Sequence, residues 1–78
     1  MRKTIHTDRG RLLAAMVREA REAKGYTLRQ LADRLDWPHT VIAKIETGER
    51  RLDLVELEAI CDALGVSFIE FVRRYRRR

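Results

Sequence analysis

Apolar residues recur at helical spacing in five separate stretches, with capping and turn residues between them. Leu12, Leu13, Met16, Val17 and Ala20 form a stripe on a first helix running to about Lys24, with Thr7 or Asp8 placed to cap its start and Gly25 after its end. Leu28, Leu31, Ala32 and Leu35 follow as one face of a two-turn helix. It opens on Thr27-Leu28-Arg29-Gln30, the form of a capping box. Asp36-Trp37-Pro38 then breaks the pattern, because the residue before Pro is pushed out of the α region while Pro itself suits a first helical turn. Val41, Ile42 and Ile45 carry a third period, whose remaining positions His39, Thr40, Ala43, Lys44 and Thr47 are small or polar, and Gly48 suits its left-handed end. Asp53 with Glu56 caps a fourth helix, Leu54–Leu64, closed by Gly65, with Leu54, Leu57, Ile60, Cys61 and Leu64 inward. Ser67 with Glu70 reads as another capping box, opening a fifth helix with Phe68, Phe71 and Val72 inward. The pattern predicts an all-α fold, a compact five-helix bundle.

Within it, residues 28–47 are two short helices joined by a tight bend, the second with a polar outer face. That is the sequence form of a helix-turn-helix. From about Leu12 to Val72 the chain resembles the phage-repressor type of helix-turn-helix domain, the Cro/C1 or XRE-like family. The parts that carry the resemblance are Gln30-Leu31-Ala32, Ile45-Glu46-Thr47-Gly48 and Ala63-Leu64-Gly65-Val66. Two positions depart from the family pattern: Leu28 stands where Gln is common, and Pro38 stands where Ser or Thr usually opens the recognition helix.

The resemblance implies a lambda repressor-like DNA-binding domain, taken over residues 8–72; residues 1–7 lack periodicity and read as a flexible lead, and 73–78 form an arginine-rich tail. It implies that Pro38, His39, Thr40, Ala43 and Lys44 face the major groove, with Val41 at the helix flank and Thr47 at the far end. His39 and Lys44 can donate to guanine, and the Thr40 methyl can pack on thymine; each can equally be solvated surface. Thr27 and Arg29, at the start of the second helix, and Arg50 and Arg51, in the loop after Gly48, are placed for the phosphate backbone. Arg21 is expected to pair with Glu46 and lock the first helix to the recognition helix, since a guanidinium can hold a carboxylate with two hydrogen bonds. Val55, Ala59 and Ile69 are left over once the core faces are assigned, and suggest a homodimer surface. Two recognition helices would then lie about 34 Å apart on a pseudo-palindromic operator.

Composition narrows the function further. The net charge of +5 is uneven: residues 1–51 carry twelve Lys/Arg against seven Asp/Glu, residues 52–72 carry five acids and no base, and residues 73–78 carry five arginines. Attraction to phosphate is one reading of that asymmetry; a merely soluble surface is the other. Seventy-eight residues make one small domain that buries roughly 60% of its unfolded surface. One cysteine excludes an intramolecular disulfide and fits a reducing compartment. No apolar run approaches a membrane span, and a cytoplasmic location is expected.

An enzyme is the class least supported. No nucleophile–base pair, carboxylate dyad or Gly-rich phosphate loop is present, and His6 and His39 are too far apart in sequence to suggest a metal site, so no cofactor is expected. The expected function is a sequence-specific transcriptional regulator on double-stranded DNA. Its context would be phage or mobile-element repression, restriction–modification control or antitoxin activity, with polymerase or a toxin as a further protein partner. The alternative is a protein-interaction module that keeps the fold and binds nucleic acid weakly or without sequence preference.

Overall fold

Each helix begins where a side chain can satisfy backbone N–H groups that have no partner within the helix. In the computed structural model, which describes residues 7–78, the elements are α1 Asp8–Ala23, α2 Leu28–Leu35, α3 His39–Thr47, α4 Leu54–Leu64 and α5 Phe68–Arg77. The lead expected at 1–7 lies outside the described residues except for Thr7, whose hydroxyl accepts from the Gly10 N–H at 3.1 Å and caps α1. At α2 the Thr27 hydroxyl accepts from Gln30 N–H at 3.1 Å while the Gln30 side chain accepts from Thr27 N–H at 2.9 Å. Asp53 and Glu56 make the same reciprocal pair at α4. The third box is only half formed. Ser67 accepts from Glu70 N–H at 3.1 Å, but the Glu70 carboxylate is turned to Arg73 at 2.9 Å. α3 differs, because Pro38 precedes it and gives it no side-chain cap.

The helix ends follow the glycines at Gly48 (φ 81°) and Gly65 (φ 70°), both in the left-handed region. α2 instead ends on Asp36 at φ 57°, the one non-glycine residue with positive φ among those described. Its Cβ is crowded there, and its carboxylate sits at the negative end of the helix dipole. Asp36→Gly should therefore raise stability by about 0.5–1 kcal/mol after the extra freedom of glycine in the unfolded chain is subtracted. For a domain of this size that is a melting temperature higher by roughly 2–8 °C. A lower melting temperature in circular dichroism would show that the carboxylate, rather than the backbone, sets this turn.

The core gathers Met16, Val17 and Ala20 of α1, Leu31 and Ala32 of α2, Ile42 and Ile45 of α3, Leu57, Ile60, Cys61 and Leu64 of α4, and Phe71 of α5. Each large side chain so enclosed contributes about 1.5–3 kcal/mol. α2 packs on α3 and α4, and α1 lies against α3 and α5. Cys61 is fully enclosed, and burial pushes its thiol up to about 11, so it is a packing residue with little thiolate character.

One expectation needs correction. Leu54 does not face inward: it is 67% exposed, because it lies at the margin of the α4 stripe and no element among the described residues covers it. The arginine run read as a tail at 73–78 is largely helical. α5 continues through the arginine run to Arg77. Arginine is a good helix former, cations suit a helix C-terminus, and Arg9 donates to the carbonyls of Tyr75 at 2.5 Å and Arg78 at 2.6 Å. A further brace lies between α2 and α4, where Arg34 donates to the Ala63 carbonyl at 2.9 Å with its guanidinium 5.2 Å from the Tyr26 ring centre.

Candidate nucleic-acid interface

With Ile42 and Ile45 buried, α3 has one orientation available, and its other face turns to solvent. His39, Thr40, Lys44 and Thr47 are exposed and Ala43 is half-buried; their spacing places them on one strip along the helix. Val41 is half-buried at the flank, and Pro38 is exposed at the start. The Thr47 hydroxyl lies 3.2 Å from the Lys44 carbonyl and 3.3 Å from the Glu49 carboxylate. The strip thus presents an imidazole, a hydroxyl with a methyl, a small apolar residue and an ammonium.

α3 is held in place by an ion pair. Arg21 Nε donates to Glu46 at 2.8 Å and Nη2 to its other oxygen at 3.0 Å, while Nη1 donates to the Tyr26 carbonyl at 2.6 Å. The two side chains are 10% and 5% exposed. Twenty-five residues apart in sequence, they join the last turn of α1 to the inner edge of α3 and to the turn before α2. Beside the pair is a cleft of about 220 Å³, lined by Arg18, Arg21, Leu28, Ala43, Glu46 and Thr47. Arg18 at its edge is paired with Glu22 at 3.2 Å.

Thr27 and Arg29 are exposed at the α2 start, and Leu28 between them is half-buried against the core. Arg50 and Arg51, equivalent in sequence as candidates for the DNA backbone, have different surroundings. Arg50 is bound to Glu56 at 2.6 Å, and its N–H donates to the Lys44 carbonyl at 3.1 Å, so it braces the loop against α4. Arg51 is exposed, and it, Arg29 and Lys44 make no side-chain ion pair or hydrogen bond among the described residues. Among the described residues, these three are the unpaired Lys and Arg side chains of this face.

Arg50 donates to Glu56 and, with the Asp53 N–H, holds its carboxyl below the usual carboxylate range against the opposing effect of burial. The folded state therefore binds that proton less readily than the unfolded chain, whose carboxyl titrates near about 4.3. The gain in stability is present above that value and is lost as pH falls through the lower folded one. Glu56→Gln should lower the melting temperature near pH 7, and its difference from the wild type should shrink as pH falls below the ordinary carboxylate range. Parallel melting curves across that range would show that the pair does not couple folding to protons.

A helix-turn-helix family profile matches residues 17–71. Over 95% of this chain and 90% of the other, the protein is 35% identical to an XRE-family like protein from Pseudomonas syringae pv. tomato str. DC3000, with a TM-score of 0.86. The chain belongs to the XRE-type helix-turn-helix family. It is also similar to the clp gene regulator ClgR from Corynebacterium glutamicum, at 30% identity in two structures. One matches over 82% of this chain and 83% of that one with a TM-score of 0.75, the other over 82% and 68% with 0.74. No curated protein matches. As an XRE-type helix-turn-helix protein it is a DNA-binding transcription regulator and not an enzyme.

Other features sit around this family core. No group of His, Cys, Asp and Glu among the described residues is arranged to hold a metal ion, and His6 lies outside them. No helix among the described residues is long and apolar enough to cross a membrane. Val55 is 76% and Ile69 57% exposed, Ala59 is half-buried, and Leu54 joins them as a large apolar residue in solvent. Leu54 also lines an apolar groove of about 200 Å³ with Leu13, Leu57, Phe71, Val72 and Tyr75. Pattern alone misplaces Leu54, because an apolar residue at a helix start falls in with the nearest stripe.

Proposed function

We propose that this regulator is a homodimeric repressor that reads a pseudo-palindromic operator in double-stranded DNA with α3 and acts by occluding polymerase or touching it. The observation that carries the reading is the single outward strip of α3, donor-bearing and locked by the buried Arg21–Glu46 pair behind it. In this reading His39, Thr40 and Lys44 meet base edges, Ala43 and Val41 pack near thymine methyls, and Pro38 and Thr47 bound the contact. Thr27, Arg29 and Arg51 meet phosphates, with the α2 N-terminus adding its dipole.

The dimer would form across α4 and α5. Exposed Leu54, Val55 and Ile69 give it apolar anchors. Exposed Glu58 and Asp62 of α4 and exposed Arg73 of α5 give a two-fold arrangement opposite charges to bring together. The buried thiol and the nucleic-acid ligand suit the cytoplasm.

Selection of tight-binding duplexes from random DNA at near-physiological salt tests this function. An enriched inverted repeat with half-sites about one helical turn apart supports a dimeric reader. Binding without an enriched sequence would reduce it to a backbone binder. No binding at all would favour the protein-interaction module, with the exposed apolar residues of α4 and α5 as its contact surface.

A further inference from the structure

We propose that the last turn of α5 is a second DNA-backbone contact, in which Arg76 and Arg77 bind phosphates flanking the base pairs read by α3. This rests on the DNA-binding reading above and adds to it a surface outside the helix-turn-helix.

The arginine run is an ordered part of the domain. Arg9 of α1 donates to the Tyr75 and Arg78 carbonyls, and its guanidinium lies 4.2 Å from the centre of the Tyr75 ring. Arg78 pairs with Glu19 of α1 at 2.8 Å. Arg73 pairs with Glu70, and Arg74 lies 5.9 Å from the Phe71 ring centre. Three of the five arginines are thereby occupied. Arg76 and Arg77 are exposed and have no ion pair or hydrogen bond from their side chains among the described residues.

Their place relative to the reading face follows from α1. Gly10, next to Arg9, lines a cleft with Leu13, Ala14, Ile45, Gly48, Arg50, Arg51 and Leu52, so the first turn of α1 abuts the loop that follows α3. The same turn, through Arg9, holds the end of α5. Arg51 and the pair Arg76 and Arg77 therefore flank one short helical turn. That turn adds Arg11, which lies 4.0 Å from Asp8. The loop after α3 and the end of α5, with their arginines, thus both meet α1 at its first turn.

A helix C-terminus favours a few cations in its last turn. Five arginines there, with Arg9 brought against them, exceed that need and repel one another. A polyanion with regularly spaced charges relieves that repulsion and releases its own counterions in doing so. Planar guanidinium groups suit phosphate oxygens.

Removing residues 73–78 would not test this cleanly, because it also removes Tyr75 and Arg78, which tie α5 to α1. The full chain with Arg76→Gln/Arg77→Gln is the better variant. Binding is measured against salt on two selected duplexes, one long and one trimmed to the segment read by α3. On the long duplex the variant should show a log–log salt slope shallower by about 1.8 per bound protomer, roughly 0.9 for each phosphate it no longer neutralises, with the preferred sequence unchanged. On the trimmed duplex the two proteins should agree. Arg76→Lys/Arg77→Lys should restore most of the slope. Equal slopes on the long duplex would overturn the proposal, as would a loss that lysine does not restore, which would place the effect in the packing of α5. If the wild-type protein binds neither duplex, the DNA-binding reading itself fails; binding of an acidic peptide by Arg76 and Arg77 in that case would assign them to a protein partner.

Discussion

Arg21→Ala should lower the melting temperature by about 12 °C or more. It leaves the Glu46 carboxylate, 5% exposed, without its two hydrogen bonds, and strands the Tyr26 carbonyl as well. Breaking a buried pair from one side costs about 3–5 kcal/mol, and each kcal/mol is about 4–8 °C in a domain this small. Replacing both partners should hurt less: Arg21→Met/Glu46→Leu removes the charges together and can recover part of the loss through apolar packing. Thermal melts near neutral pH compare the three proteins. An unchanged melting temperature in Arg21→Ala would mean that the pair does not lock α3 to α1.

Lys44→Ala should change which sequences are bound, and Arg51→Ala should not. Lys44 lies in the middle of the α3 strip, where loss of a good base contact is worth about 1–3 kcal/mol, or roughly 5- to 150-fold in discrimination at one position. Arg51 sits in the loop, where removing a phosphate partner weakens all duplexes alike and reduces the salt slope by about 0.9 per bound protomer. Arg50→Ala is a poorer probe of the backbone, because Arg50 is the partner of Glu56 and its removal loosens the loop. Binding to the selected duplex and to single-base variants of it, each at several salt concentrations, separates the two effects. Equal losses from Lys44→Ala and Arg51→Ala on every sequence would refute the division between base and backbone contacts.

What is legible in the sequence is mostly local. Thr27 with Gln30, Asp53 with Glu56, Gly48 and Gly65 place helix ends within a few residues of themselves, and the apolar periods between them place the core. The Arg21–Glu46 pair is expected through family resemblance; nothing in a separation of 25 residues announces it. Arg9 on Tyr75 and Arg34 on Ala63 are not legible for the same reason: a surface arginine has many candidate partners, and only the packing of helices selects one. Asp36 is hidden differently, since the nearby proline already accounts for the break in pattern without a left-handed residue. Arg50 and Arg51 look equivalent in sequence and diverge because only Arg50 reaches the carboxylate at the start of α4.

The arrangement of α3 also bears on how such a protein changes its target. His39, Thr40 and Lys44 are exposed, and their side chains make no bond to the core or to the Arg21–Glu46 lock among the described residues. Substitutions at exposed positions of this kind usually alter stability by no more than about 0.5 kcal/mol. The proposed reading positions can therefore drift, singly or together, while the scaffold keeps its melting point. A duplicated copy would be able to acquire a different operator by a handful of neutral steps, without passing through an unfolded ancestor.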